Sequence, residues 1–310
     1  MGTPPFAAVA LRRLLSTHHR LAAVVSQPDR RAGRGRKLTP SAVKQVALEH
    51  DLEILQPERA GDPDFIARLG EIAPDLAVVV AYGRILPKRT LAVPRLGCIN
   101  AHGSVLPALR GAAPIQHAIL EGRASTGVTI MQINERMDAG DMLLCEEIAI
   151  EADDDTASLG TRLATLGADL LVRAIDDIAT GTARAVAQDE SLATYAPPIH
   201  SEDALIRWDA PAVSIERRVR ALRPRPGAFT YDSGRRLKLL RTAVRELAGD
   251  APVGTLIAEP GRAMMVACGE GALELIEVQP EGRKAMTGAD YLRGCGEAVD
   301  RRLGEEPAAT

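Results

Sequence analysis

Residues 75–102 read DLAVVVAYGRILPKRTLAVPRLGCINAH, and two segments of this stretch decide the fold. DLAVVVAY (75–82) is apolar throughout, as a strand must be when both of its faces are covered. GCINA (97–101) supplies the next strand. Working outward, helical and strand patterns alternate. Phe6, Val9, Leu11, Leu14 and Leu15 recur at helical spacing, LAAVV (21–25) reads as a short buried strand, and SAVKQVALEH as a helix with Ser41 as its N-cap. EIL is a short strand, DFIARLGEI and APIQHAILEG are helices, GVTIMQI (127–133) and MLLCEEIAI are strands, and a long helix is expected from about 156 to 179. The expected class is α/β with a doubly wound, mostly parallel sheet.

Beyond this alternation, TGTARAVAQDESLATYAPPIHSED breaks periodicity and reads as a linker. From about residue 206 the pattern changes to one helix, VSIERRVRAL, and short strands near 227–232, 236–244, 253–257, 263–268 and 272–278. That spacing fits a small antiparallel β-barrel of the oligonucleotide-binding (OB) type. The organisation expected is a first, α/β domain over 1–190, a linker over 191–205, an OB-like domain over 206–303 and a disordered tail over 304–310. A chain of 310 residues suits two domains.

With 46% apolar residues but only 3% aromatics, the core must be built from Ala, Val, Leu and Ile. The net charge of −3 says little about partners, but its distribution does. Residues 206–245 hold eleven Lys or Arg against three Asp or Glu, and residues 27–40 hold five against one. Cys98, Cys145, Cys268 and Cys295 lack metal-ligand spacing and read as reduced structural thiols. No apolar run approaches ~18 residues, and no signal peptide opens the chain, so a soluble cytoplasmic protein is expected.

Asn100 and His102 are two apart at the end of a buried strand, and residues i and i+2 leave a strand on one face. An amide and an imidazole are then aimed at one spot, although both residue types also satisfy turn backbone. The run AGRGRK (32–37) lacks the spacing of a phosphate-binding P-loop, which excludes nucleotide hydrolysis by that motif.

Taken in order, GTPPFA (2–7), QPDRRAGRGRKLTPSAVK (27–44), VVVAYGRILP (78–87), GCINAHGSVLPALRGAAPIQ (97–116), TGVTIMQI with MDAGDM (126–142) and RPRPGAFT (223–230) resemble the methionyl-tRNA formyltransferase family. The resemblance runs from residue 2 to about 303. It implies transfer of the formyl group of 10-formyltetrahydrofolate to the α-amine of methionyl initiator tRNA, without a metal, by a cytoplasmic monomer that does not engage a membrane. Asn-x-His and a later Asp-x-Gly occur across folate-dependent formyltransferases generally. The two basic regions are what point to transfer RNA.

Such a reaction needs donors for an oxyanion and a path for a proton. Asn100 offers amide N–H groups, and His102 can donate to the same oxygen or protonate the leaving nitrogen. The resemblance makes Asp138 the carboxylate that orients the imidazole, with Asp141 a nearby decoy. It also assigns Ser104, Val105, Leu106 and Pro107 to the folate, and Arg34, Arg36 and Lys37 to tRNA. A loop at the carboxyl end of a strand in an open α/β sheet is where ligands are expected on physical grounds as well. Tyr82 either lines the pterin pocket or belongs to the core.

The sequence departs from the family in places. Met1 stands where an apolar first strand should end, ALRG lacks a basic-aromatic pair, Arg136 replaces a Gly, Ala139 a Thr and Arg225 a Trp. Two other readings are a formyltransferase acting on another amine, such as an amino sugar, and a non-catalytic RNA-binding relative. The first leaves the basic regions unexplained, and the second leaves Asn100, His102 and Asp138 unexplained.

Overall fold

The computed structural model describes residues 1–32, 37–247, 249–258, 264–295 and 301–304, and its contacts divide the chain into two units. The first takes in Met1–Pro114, Ser125–Ala149 and Leu159–Pro197; the second takes in Ile115–Ala124, Ile150–Ser158 and residues from Pro198 onward.

In the first unit, α1 (Pro5–Leu15) opens on a proline, whose fixed φ suits a first helical turn that has no N–H bond to lose. It leads to β1 (Val24–Val25), the antiparallel pair β2 (Arg30–Ala32) and β3 (Lys37–Thr39), and α2 (Ala42–Glu49). Ser41 caps α2 as expected, its hydroxyl accepting from the Lys44 N–H at 3.0 Å. Next come β4 (Ile54–Leu55), α3 (Pro63–Ile72), β5 (Ala77–Val79), α4 (Lys88–Leu91), β6 (Cys98–His102) and β7 (Arg110–Gly111). After them in the chain come α5 (Pro114–Leu120), which falls in the second unit from Ile115, then β8 (Ser125–Gln132), β9 (Met142–Ala149), α6 (Thr156–Thr180), which belongs to the first unit from Leu159, and β10 (Tyr195–Ala196).

β1 pairs with β4, and β5 with β6, in parallel; β6, β8 and β9 then pair antiparallel in the order β5-β6-β8-β9. The sheet is therefore mixed. Residues Thr126–Met131 of β8 are all buried. A strand covered on both faces reads as one apolar run whichever way it points, so the sequence does not reveal its direction.

Between β1 and β5 the chain's first two residues hold the place of a strand. The Met1 amine donates to Val78 O at 2.6 Å, Val80 N–H to Met1 O at 2.9 Å and Gly2 N–H to Val25 O at 2.9 Å. A Cβ at Gly2 would stand 2.6 Å from Ala7 Cβ, so only glycine fits there. Beside this two-residue strand lies a cavity of about 730 Å³, lined by Ala22, Val24, Leu76, Val78, Leu11 and Ile175 among others. Tyr82 is a core residue, 2% exposed, packed with Val25, Phe65, Leu69 and Leu86.

The second unit contains α7 (Ala212–Leu222), β11 (Phe229–Asp232), β12 (Arg235–Arg245), β13 (Leu256–Ala258), β14 (Met264–Ala267), β15 (Ala272–Pro280), β16 (Met286–Thr287) and α8 (Gly288–Cys295). Its strands form one curled antiparallel sheet in the order β11-β12-β15-β14-β13, with β16 on β15. Leu303 bridges Asp232 and Arg302 bridges Thr255, so this segment joins the two ends of the path. Buried Asp232 anchors the closure, accepting from Arg301 Nε at 2.7 Å and Nη2 at 2.6 Å and from the Tyr291 hydroxyl at 2.5 Å.

Two sequence expectations need correction. Residues 191–197 are not linker: β10 pairs in parallel with β7, and Leu109 N–H donates to the Thr194 hydroxyl at 2.9 Å. The first unit accordingly runs to Pro197 rather than to 190, and Ile115–Ala124 and Ile150–Ser158, expected within it, belong to the second. Nor does a free tail begin at 304, since Gly304 N–H donates to Tyr231 O at 2.8 Å; residues 305–310 lie outside the described residues.

Candidate active site

β6 delivers Asn100 and His102 to the same face, with Asn100 opposite Val79 on β5 and Met131 on β8, and His102 opposite Thr129. Because β6 is flanked on both sides, its ladder bonds fix where these side chains start. Asn100 is half-buried, and its side chain makes no hydrogen bond among the described residues, so its amide donors remain open to a substrate oxygen. His102 is buried, and its Nε2 donates to Leu109 O at 2.9 Å. A carbonyl can only accept, so that bond fixes a proton on Nε2.

Nδ1 faces Asp138, 3.6 Å from Oδ2. Against an ionised carboxylate a bare lone pair would be repelled. A proton between the two makes the pair favourable, and the gap places an imidazole and a carboxylate where a proton can pass between them. The Asp138 carboxylate also accepts from Gly111 N–H at 2.9 Å. Gly111 adopts φ +117°, and a Cβ there would lie 2.7 Å from Ala196 O, so the bare backbone is what admits both neighbours. Gly140 is equally constrained, its virtual Cβ falling 1.8 Å from Gln132 O. Asp141, by contrast, is exposed and serves the fold through its carbonyl, which accepts from Gln132 N–H at 2.9 Å.

The loop after β6 is stapled by a residue the sequence reading missed. Buried Thr129 donates to Ser104 O at 2.8 Å and accepts from Leu106 N–H at 3.0 Å. Ser104 turns its hydroxyl onto Ala108 O at 2.6 Å, and Leu106 is buried, whereas Val105 and Pro107 remain half-exposed on the same loop. Leu109, at φ +59°, then aims its carbonyl at His102. The structure thus brings Asn100, His102 and Asp138 together and sets residues 104–107 directly after them.

Of the basic residues expected to meet RNA, Lys37 is exposed on β3, and Arg34 and Arg36 lie outside the described residues. The charge excess over 206–245 is partly internal. Arg218 donates to Asp203 O, Arg220 pairs with Glu216, Arg223 with Asp155 and Arg245 with Glu274, while Arg236 lies 3.7 Å over the Phe229 ring. Arg207, Arg225, Arg235 and Arg241 are exposed and have no partner among the described residues. The metal-compatible cluster found there, His18, His19 and Asp176, shares no residue with the site. No helix among the described residues is long and apolar enough to cross a membrane.

The formyl transferase family matches residues 1–175, and the formyl transferase C-terminal domain matches 198–296. Methionyl-tRNA formyltransferases of Methylococcus capsulatus and Pseudomonas paraeruginosa are 49% and 48% identical to this chain, over 94% and 93% of both partners' lengths. Among solved structures, WlaRD, a sugar 3N-formyl transferase crystallised with dTDP and 5-N-formyl-THF, superposes with a TM-score of 0.66 at 17% identity. It covers 91% of this chain and is itself covered to 97%, a likeness that bears on the fold alone. With a family match over more than half of its length and relatives near half identity along almost all of it, the chain belongs to the methionyl-tRNA formyltransferase family.

Proposed function

We propose that this enzyme moves the formyl group of 10-formyltetrahydrofolate onto the α-amine of methionine carried by initiator tRNA, with Asn100, His102 and Asp138 performing the chemistry. The observation that carries the assignment of roles is the juxtaposition at the end of β6: His102 Nδ1 stands 3.6 Å from Asp138 Oδ2, beside the open amide of Asn100. The neutral amine attacks the formyl carbon, the carbonyl oxygen takes up negative charge, and the carbon–N10 bond then breaks. Asn100 donates to the oxyanion, where a placed donor acts without reorganising, while His102, whose Nε2 proton is held by Leu109 O, works through Nδ1. The proton leaves the attacking nitrogen and reaches the departing nitrogen by way of the His102–Asp138 pair, so charge is balanced at every stage. A free α-amine titrates near 8, so a usable neutral fraction exists without a strong base.

The folate runs along residues 104–107, with half-exposed Val105 and Pro107 as its apolar contacts and Ser104 and Leu106 shaping the loop. Arg34, Arg36 and Lys37 meet tRNA phosphates or base edges, and guanidinium forks suit both. Exposed Arg207, Arg225, Arg235 and Arg241 add cations in the second unit. The enzyme works in the cytoplasm, as a monomer and without a metal.

The decisive assay is formylation of charged initiator tRNA. Asn100→Ala, His102→Ala and Asp138→Ala are each expected to lower turnover by about 10² or more while folate binding survives. Turnover within threefold of the parent would remove that residue's role. Arg34→Ala is expected to weaken formylation of the tRNA strongly and leave a minimal amine acceptor nearly unaffected. Equal losses on both acceptors would mean that the basic segment supports the folate site or the fold.

A further inference from the structure

Asp138 adopts φ +49°, a left-handed conformation that aspartate tolerates better than most residues, at a turn whose carbonyls are held by a side chain 50 residues away. Gln188, which is 9% exposed, donates from Nε2 to Asp138 O at 2.9 Å and to Gly140 O at 2.7 Å. Its Oε1 accepts from Arg110 Nε at 3.1 Å and Nη2 at 2.7 Å. Carbonyls only accept and a guanidinium only donates, so the amide has a single orientation, and reversing it would lose all four bonds.

Arg110 is itself 1% exposed and cannot be left uncompensated. It forks onto Glu190 with two contacts of 3.1 Å, and Arg136 closes on Glu190 from the solvent side at 2.7 Å. These cations hold the Glu190 carboxyl below the usual carboxylate range, Arg110 contributing most. The backbone on either side of Arg110 touches both catalytic partners: Leu109 O receives His102, and Gly111 N–H reaches the Asp138 carboxylate. The side chain of Arg110, through Gln188, therefore grips the backbone of the loop whose carboxylate the next residue's N–H aims.

Resting on the reading of Asp138 as the catalytic carboxylate, we propose that Gln188, oriented by buried Arg110, is a positioning residue that holds Asp138 toward His102 Nδ1. Gln188 touches neither substrate nor reacting atoms; it acts through the Asp138 loop. A displacement of about 1 Å at such a group is enough for a 10²-fold effect on rate.

Gln188→Glu keeps the size and the acceptor for Arg110, but it removes both donors and sets a carboxylate against two carbonyls. Turnover with charged initiator tRNA should fall about 10- to 100-fold, with KM for tRNA and formyl donor changed less than about twofold and melting temperature within a few degrees. In an Asp138→Asn background the same change should cost less than about twofold more, because the residue it positions is already disabled. Gln188→Glu turnover within threefold of the parent, or an undiminished loss in the Asp138→Asn background, would overturn the proposal. If Asp138→Asn alone retained parental turnover, the catalytic reading would fall and this inference with it; a severe Asp138→Asn beside a silent Gln188→Glu overturns the inference alone. Should Gln188→Glu fail to fold, half-exposed Glu190→Gln is read in the same cycle. A loss of about threefold that disappears in the Asp138→Asn background supports the clamp, and an additive loss overturns it.

Discussion

The two flanks of the sheet in the first unit are built to different standards. On one side β6, β8 and β9 pair residue by residue, with Val128 and Ile130 wholly buried. On the other, β1 and β5 are joined only through Met1 and Gly2, beside a cavity of about 730 Å³. Asn100 and His102 hang from the well-paired side, and Val79 of β5 still covers the other edge of Asn100. The residue-by-residue pairing of β6 with β5 and β8 is what holds Asn100 and His102 in register.

The largest expected effect that sharpens this contrast is on stability. Ile130→Ala opens a void in a site that cannot collapse and should cost about 4 kcal/mol, while Leu11→Ala, beside a space that already exists, should cost about half as much. Chemical unfolding of the two variants measures both. Equal losses would mean the cavity flank is as tightly packed as the other.

The next test is a titration. Burial against the sheet lowers the Met1 ammonium from 8.0 to about 6. Between these values the unfolded chain holds the proton and the native chain does not, so stability should rise with pH from 6 to 8, by at most about 3 kcal/mol, and level off above. The comparison is with an N-terminally acetylated chain, from which this increment should vanish. An identical pH dependence in both forms would show that the amine does not sit in the slot as described.

The smallest expected gain comes from filling the slot. Adding about five apolar, β-favouring residues ahead of Met1 extends its two-residue strand between β1 and β5. Occupying half of the cavity contributes about 9 kcal/mol at ~24 cal/mol per Å³, against about 1.5 kcal/mol for ordering each added residue. A net gain of roughly 1–2 kcal/mol should raise the melting temperature by several degrees at pH 8. No rise would refute the reading of this space as a strand position.

Helices α1, α2, α3, α5, α6 and α7 and the strands β1, β4 to β6, β8, β9 and β11 to β15 were legible in the sequence, because each announces itself through its own apolar pattern. The spacing of Asn100 and His102 was legible for the same reason, since two positions on one strand share a face whatever surrounds them. What local pattern cannot carry is the identity of a distant partner. β7 and β10 are two residues each and meet across 85 positions, too short for any periodicity to show, so residues 191–197 passed for linker. Gln188 and Arg110 read as ordinary polar residues, and only the fold makes one of them a clamp on Asp138 and buries the other to 1% exposure. The same holds for charge: composition counted eleven cations over 206–245, while the fold gave Arg218, Arg220, Arg223, Arg236 and Arg245 partners and left Arg207, Arg225, Arg235 and Arg241 exposed without one among the described residues. By itself the sequence determined the class of fold, the change of pattern near residue 206 and the shared face of Asn100 and His102 at the end of β6. Tertiary structure decided strand direction, the orientation of His102 and the grip on Asp138, because those depend on hydrogen bonds between groups far apart in the chain, whose pairing no local periodicity records.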